Sequence, residues 1–211
     1  MNVLISDTKN IYENLEKENK LFENCEEGVF FWRNDPVVVV GKFQEISKEV
    51  DIPFAAENHI NIVKRSTGGG AVYQDPGNLN LSYICSGSEK LLGQKTQMFC
   101  QSIVKFLESI GVKAKWSGRN DLVVFDKEGK ERKISGSAMK VHGDKMLFHM
   151  TLLVSTDCSV MNRVLTPEKS KLESKGITSV RSRVITLEEY LEKVLDIEEI
   201  IERLADYWGS L

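Results

Sequence analysis

The chain of 211 residues is long enough for one large domain, and its 41% apolar and 28% charged residues are an ordinary globular mix. A formal charge of −3 offers no positive field to hold nucleic acid. No apolar run nears the ~20 residues of a membrane helix. Residues 1–10 carry neither a signal-peptide core nor an Arg-rich, acid-poor leader. The expectation is a cytoplasmic protein, or a mitochondrial-matrix one if a leader has been removed, with no membrane and no nucleic-acid partner.

From the N-terminus, Asn10 to Asn24 reads as a helix with Ile11, Leu15 and Leu21–Phe22 on one side. Val29–Trp32 and Val37–Val40 read as strands, at least one of them buried, paired across the link Arg33-Asn34-Asp35-Pro36. Ile60–Val63 is a third strand and leads into Lys64-Arg65-Ser66-Thr67 and three glycines. Ala71–Tyr73 and Leu79–Ile84 follow, split by the turn-rich Gln74-Asp75-Pro76-Gly77-Asn78. The spacing of Met98, Phe99, Ile103, Phe106, Leu107 and Ile110 predicts a helix over Thr96–Ile110, capped at Gly111. Val112–Trp116, Leu122–Phe125, Lys133–Lys140 and Met146–Val154 form an antiparallel meander with turns at Asp126–Gly129 and His142–Asp144. Thr186 with Glu189 and Asp196 with Glu199 read as capping boxes that start helices Leu187–Leu195 and Ile197–Trp208. Between them and the meander, Arg163–Arg183 holds six basic residues against two acidic ones, either a solvated loop or a ligand or partner surface. With no repeat or linker, residues 1–211 form one domain in the simplest reading.

Three segments carry possible chemistry. Gly68, Gly69 and Gly70 lie between two strands, where glycine lets another molecule approach the backbone and exposed N–H groups can cradle an anion, with Arg65 as a forked cationic donor. A flexible hairpin is the alternative, and the spacing is neither a Walker loop nor GxGxxG. Asn120 and Asp121 could hold a metal–phosphate group, or form an Asx turn. Lys133 heads a strand of small residues through Ala138, where it could stabilise charge at a phosphate–acyl junction, or it could be a surface lysine. Cys25, Cys85, Cys100 and Cys158 form no CxxC pair and read as free, buried thiols. His59, His142 and His149 lack metal-ligand spacing, and His149 inside an apolar strand reads as a hydrogen-bonded core residue.

Taken in order, these segments resemble the lipoate–protein ligase A family, the catalytic domain of the biotinyl/lipoyl protein ligase superfamily. The resemblance runs through Phe31-Trp32-Arg33-Asn34, Arg65 to Asn78, Ser117 to Leu122, Lys133 to Ala138 and Thr151-Leu152-Leu153, and ends with Ser174 to Val184. It implies an α/β (α+β type) fold of mixed, largely antiparallel sheets flanked by helices. It also implies two steps: lipoate and Mg-ATP give lipoyl-AMP and pyrophosphate, and the lipoyl group then passes to a lysine of a lipoyl-accepting domain. Such acceptors are the 2-oxoacid dehydrogenase acyltransferase subunits and the glycine cleavage H protein. Carried over by position, Arg65, Thr67, Gly68, Gly69, Gly70, Tyr73 (through its backbone) and Asn78 would line the adenylate. Asn120 and Asp121 would lie near phosphates and metal, with Asp121 the metal ligand. Lys133 would be the catalytic residue at the acyl-phosphate, with Gly136, Ala138 and His149 beside the ligand.

The chain departs from the family where Gln74 replaces a common His, and where Phe148 and Met150 replace a His and a Gly flanking His149. It ends near the close of the catalytic domain, so the usual C-terminal accessory domain, which supports adenylation, is expected to be absent or replaced by a separate polypeptide. The alternatives are a transferase using preformed lipoyl-AMP, an octanoyltransferase using a carrier-protein thioester, and a lipoyl-binding module without turnover.

Overall fold

In the computed structural model, residues 2–117, 121–166 and 183–209 are described. In chain order the elements are β1 (Asn2–Ile5), α1 (Ile11–Asn24), β2 (Gly28–Trp32), β3 (Val37–Val40), α2 (Ile46–Glu49), α3 (Ile52–Glu57), β4 (Asn61–Lys64), β5 (Val72–Gln74) and β6 (Asn78–Ser86). They continue with α4 (Glu89–Ser109), β7 (Lys115–Ser117), β8 (Asp121–Phe125), β9 (Glu131–His142), β10 (Lys145–Leu153), α5 (Cys158–Val164), α6 (Leu187–Leu191) and α7 (Ile197–Gly209).

Local chemistry sets the helix ends. Asn10 caps α1 by accepting the Tyr12 and Glu13 N–H groups. α4 ends in a Schellman motif: Gly111, at φ +91°, donates to the Glu108 carbonyl, and Val112 donates to Leu107. α4 begins at Glu89, earlier than the expected Thr96, because residues 89–95 have good helix propensity but a weaker apolar period. The Thr186–Glu189 capping box is complete, yet α6 stops at Leu191 with Glu192 in the left-handed region. Asp196 accepts the Glu198 N–H and so starts α7.

The strands form a seven-stranded sheet ordered β1-β2-β6-β10-β9-β8-β7 and a three-stranded sheet ordered β4-β3-β5. Pairing is mostly antiparallel; β1–β2 and β3–β4 are parallel. The meander β7–β10 forms as expected, although β7 starts at Lys115 rather than Val112. β2 and β3 do not pair, contrary to expectation. Every residue of both is buried, and a strand covered on both faces carries no alternation to say which neighbour it joins. Arg33–Pro36 crosses from one sheet to the other, with the Asn34 side chain buried between them.

One face of the large sheet packs Leu79, Leu81, Phe148 and Leu152 against Phe99, Ile103 and Leu107 of α4 and Leu204 and Trp208 of α7. On the other face, Phe30 and Trp32 meet Ile11, Leu21 and Phe22 of α1 and Val37, Val39 and Val63 of the small sheet. The far side of the small sheet, Val38, Val40 and Tyr73, packs on α3 and α5. Among the described residues no helix is long and apolar enough to cross a membrane. Cys85, Cys100 and Cys158 are buried, whereas Cys25 at the end of α1 is only half-buried.

Candidate functional site

β6 and β10 are fully or mostly covered, yet on one face they carry polar side chains at every second position: Asn78, Asn80 and Ser82, then His149 and Thr151. These face the small sheet, and a cleft of about 220 Å³ opens there. Strand register orders its floor. Trp32 pairs with Asn80, Asn80 with Thr151, and Gly136 with Asp121, while the Thr151 hydroxyl bridges to the Gly136 backbone. That row crosses four strand spacings, about 19 Å between the backbones of β2 and β8. A parallel row runs from Phe30 through Ser82 and His149 to Ala138.

The floor opens because β9 pairs with β10 only from Ser137 onward and, before it, shifts register against β8 at a bulge, where Leu122 faces Ser135 and Val123 faces Lys133. The freed Lys133 backbone pairs instead with Val184: its N–H donates to the Arg183 carbonyl at 2.7 Å, and its carbonyl accepts from Ile185 at 3.0 Å. Arg183 is thereby delivered to the cleft. Its guanidinium pairs with Asp121 Oδ2, while Lys133 Nζ lies 2.7 Å from Asp121 Oδ1. The lysine side chain folds back over Gly136, so closely that a Cβ there would sit 2.5 Å from Nζ.

Arg65 turns inward. Its Nη1 donates to the Val39 carbonyl, Nε to Thr67 Oγ1, and Nη2 to the Gly68 and Gly70 carbonyls at 2.6 and 2.7 Å. The guanidinium therefore clamps the glycine loop, with Gly69 at φ +90°. Burial lowers the Arg65 pKa to about 10 against the opposing pull of Glu18, so it stays charged at neutral pH.

Beneath the loop, Glu18 of α1 is almost wholly buried. Its Oε1 accepts from Ser82 Oγ at 2.5 Å and from His149 Nδ1 at 3.0 Å, and Ser82 Oγ in turn accepts from the Trp32 indole at 2.8 Å. His149 Nε2 lies 2.9 Å from Thr67 Oγ1. Because His149 Nδ1 donates to Glu18, Nε2 of the neutral ring is the acceptor, and the Thr67 hydroxyl donates to it. Burial alone would push the Glu18 carboxyl up. The charge and hydrogen bond of His149, the Ser82 hydroxyl and the Arg65 charge outweigh that and hold it below the ordinary carboxylate range.

Of the residues named from sequence, Arg65, Gly70, Asp121, Lys133, Gly136, Ala138 and His149 line this one cleft. Thr67 reaches it through His149. Gly68 and Gly69 form the loop above, with Gly68 beside Phe43. The Tyr73 ring points away into the core under α5, where burial together with Asp75 and Asp157 raises its hydroxyl pKa, so only its backbone lies between cleft-lining Val72 and Gln74. Asn78 is buried one step behind Asn80 and donates to its Oδ1. Asn120 and most of Arg163–Arg183 lie outside the described residues. Sequence reading missed Glu18, Asn80 and the role of Arg183, and marked Gln74 only as a departure from the family pattern. Glu18 had a visible signal, as a charge in line with Ile11, Leu15 and Phe22 on the apolar side of α1.

A family model described as lipoyl protein ligase A/B catalytic domain matches residues 10–209. A bi-partite lipoate protein ligase from Thermoplasma acidophilum has a TM-score of 0.83 at 28% identity, over 99% of this chain and 82% of that one. P. falciparum LipL1, solved in complex with lipoate, has a TM-score of 0.78 at 28% identity, over 99% of this chain and 62% of that one. A lipoate-protein ligase A bound with ATP has a TM-score of 0.82 at 24% identity, over 99% and 83%.

Proposed function

The chain belongs to the lipoyl protein ligase A/B catalytic-domain family, and from that premise we propose that it activates lipoate with ATP and transfers the lipoyl group to a lysine of a lipoyl-accepting domain. In the first step a lipoate oxygen attacks the α-phosphorus of ATP and the bond to pyrophosphate breaks. In the second, the acceptor amine attacks the acyl carbon, the bond to AMP breaks, and the amine loses a proton to solvent. Neither step needs a protein nucleophile, and none of the four cysteines lines the cleft. Burial also pushes the Cys100 thiol up to about 12. Both facts weigh against a cysteine-dependent octanoyltransferase.

One observation carries the reading: Lys133 and Arg183 converge on Asp121 at one end of an elongated cleft whose other end is lined by Trp32, Val39 and Leu15. Such a cleft suits a molecule with an anionic junction and an apolar tail. An arriving phosphate competes with Asp121 for both cations, so Lys133 meets the charge that moves at the acyl-phosphate. The described residues do not fit a protein-held metal. They hold no group of three or more His, Cys, Asp or Glu side chains able to bind one, and both Asp121 oxygens already face cations. Magnesium would instead arrive on the nucleotide phosphates.

A second reading follows from the likeness to a bi-partite ligase: the chain transfers from lipoyl-AMP and adenylates only with a second polypeptide. Pyrophosphate release from ATP and lipoate by the purified chain supports the two-step ligase. No release, with transfer from synthetic lipoyl-AMP intact, supports the second reading. Loss of both reactions rejects the assignment.

A further inference from the structure

Gln74 of β5 and Asn80 of β6 meet across the gap between the two sheets, and both line the cleft. Gln74 Nε2 donates to Asn80 Oδ1 at 2.7 Å, and Asn80 Nδ2 returns a bond to Gln74 Oε1 at 3.4 Å. Each oxygen accepts a second bond: Asn34 Nδ2 donates to Gln74 Oε1 at 2.6 Å, and Asn78 Nδ2 to Asn80 Oδ1 at 3.1 Å. Both carbonyl oxygens are thereby filled, whereas each amide nitrogen has two N–H groups and spends one. What the pair can still offer a ligand is donors only. Asn34 is itself held by Asn14, which accepts from Ser6, so the orientation of the amides is fixed from behind.

Trp32 and Val72 line the cleft beside these donors, and Thr151 stands opposite Asn80. By register Asn80 lies beside Trp32 and two strand spacings from Gly136, where Lys133 folds over, a separation of about 10 Å. An acyl group whose carbonyl end lies at Lys133 brings its distal half to the amides.

We propose that the Gln74–Asn80 pair selects the distal end of the acyl group, favouring a tail that carries a lone-pair acceptor such as sulfur over one made only of methylenes. A methylene tail leaves two buried N–H groups facing hydrocarbon, whereas thioether-like sulfur is polarizable and accepts weakly. The inference rests on the proposed acyl-binding function and adds to it the residues that set the choice between a sulfur-bearing and an all-methylene tail.

The test is equilibrium binding of free lipoate and free octanoate, measured by calorimetry on the wild-type chain and on Gln74→Met, with thermal unfolding as the check on folding. The wild type is expected to bind lipoate about fivefold tighter or more. In Gln74→Met the ratio is expected to fall below about twofold. Equal wild-type affinities overturn the proposal whether or not the variant folds, and so does a ratio that persists in a folded variant. Acyl transfer is assayed separately. Selective binding without transfer leaves this inference standing and removes the proposed function, whereas transfer with equal affinities does the reverse.

Discussion

Gly136→Ala isolates the placement of Lys133 from its presence. An added Cβ would lie 2.5 Å from Lys133 Nζ and 2.9 Å from Cε, and the next neighbour, Asp121 Oδ1, is at an ordinary 3.8 Å. Contact distance is about 3.5–4.0 Å, so the ammonium must move by about 1 Å. Everything that must yield is the end of one flexible side chain, and Gly136 is not among the positive-φ glycines, so alanine meets no backbone strain. The fold should be unaffected or gain about 0.4–1 kcal/mol from reduced unfolded-state entropy. Displacing a positioned group by about 1 Å costs about 100-fold in rate, equivalent to about 2.7 kcal/mol of barrier. The assay is single-turnover transfer from lipoyl-AMP to a lipoyl domain, with thermal unfolding in parallel. A folded Gly136→Ala chain that transfers within about twofold of wild type would refute the idea that Lys133 works from this position.

Lys133→Ala should abolish transfer while the unfolding midpoint stays near wild type, and near-normal turnover would remove its assigned role. Glu18→Ala strips the partner from His149 and Ser82 and should cost about 3–5 kcal/mol in urea unfolding; a loss below about 1 kcal/mol would mean that the buried pair is dispensable. The Glu18 carboxyl is held below its ordinary value of 4.5 in the fold, so its contribution is fully present above that pH and is lost as pH falls through the lower folded value. Acid unfolding of the wild type should therefore steepen below pH 4.5, and Glu18→Gln should flatten that part of the profile. Gly41→Ala should loosen the glycine loop, because its Cβ would run into the Gly69 carbonyl oxygen, which is backbone. A cost of about 1–3 kcal/mol with reduced transfer is expected, and an unchanged unfolding midpoint would count against it.

Sequence resolved what short-range chemistry governs. The Gly111 terminus of α4, the Thr186–Glu189 box and the meander turns each depend on residues within a few positions, and each forms. Family resemblance also picked out Arg65, Asp121, Lys133, Gly136 and His149, which the fold brings to one cleft from widely separated parts of the chain.

Tertiary structure decided the rest. Four-residue β1 carries too little pattern to be seen alone, and it exists because β2 offers it a parallel edge. β2 and β3 are buried on every face, so their own residues do not say which sheet each joins. Arg65 looked like an anion donor from its position before the glycines, yet the carbonyls that its loop turns inward claim most of its donors. Glu18, Gln74 and Arg183 acquire their partners only when α1, β5 and the segment after β10 are packed together, across separations in sequence of 131, 40 and 62 residues. Local propensity acts over one or two turns of chain, whereas a hydrogen bond between distant residues exists only after folding has paid the entropy of bringing them together. The elements and the chemical types of the site residues could therefore be read along the chain, and the contacts that set their charge and orientation could not.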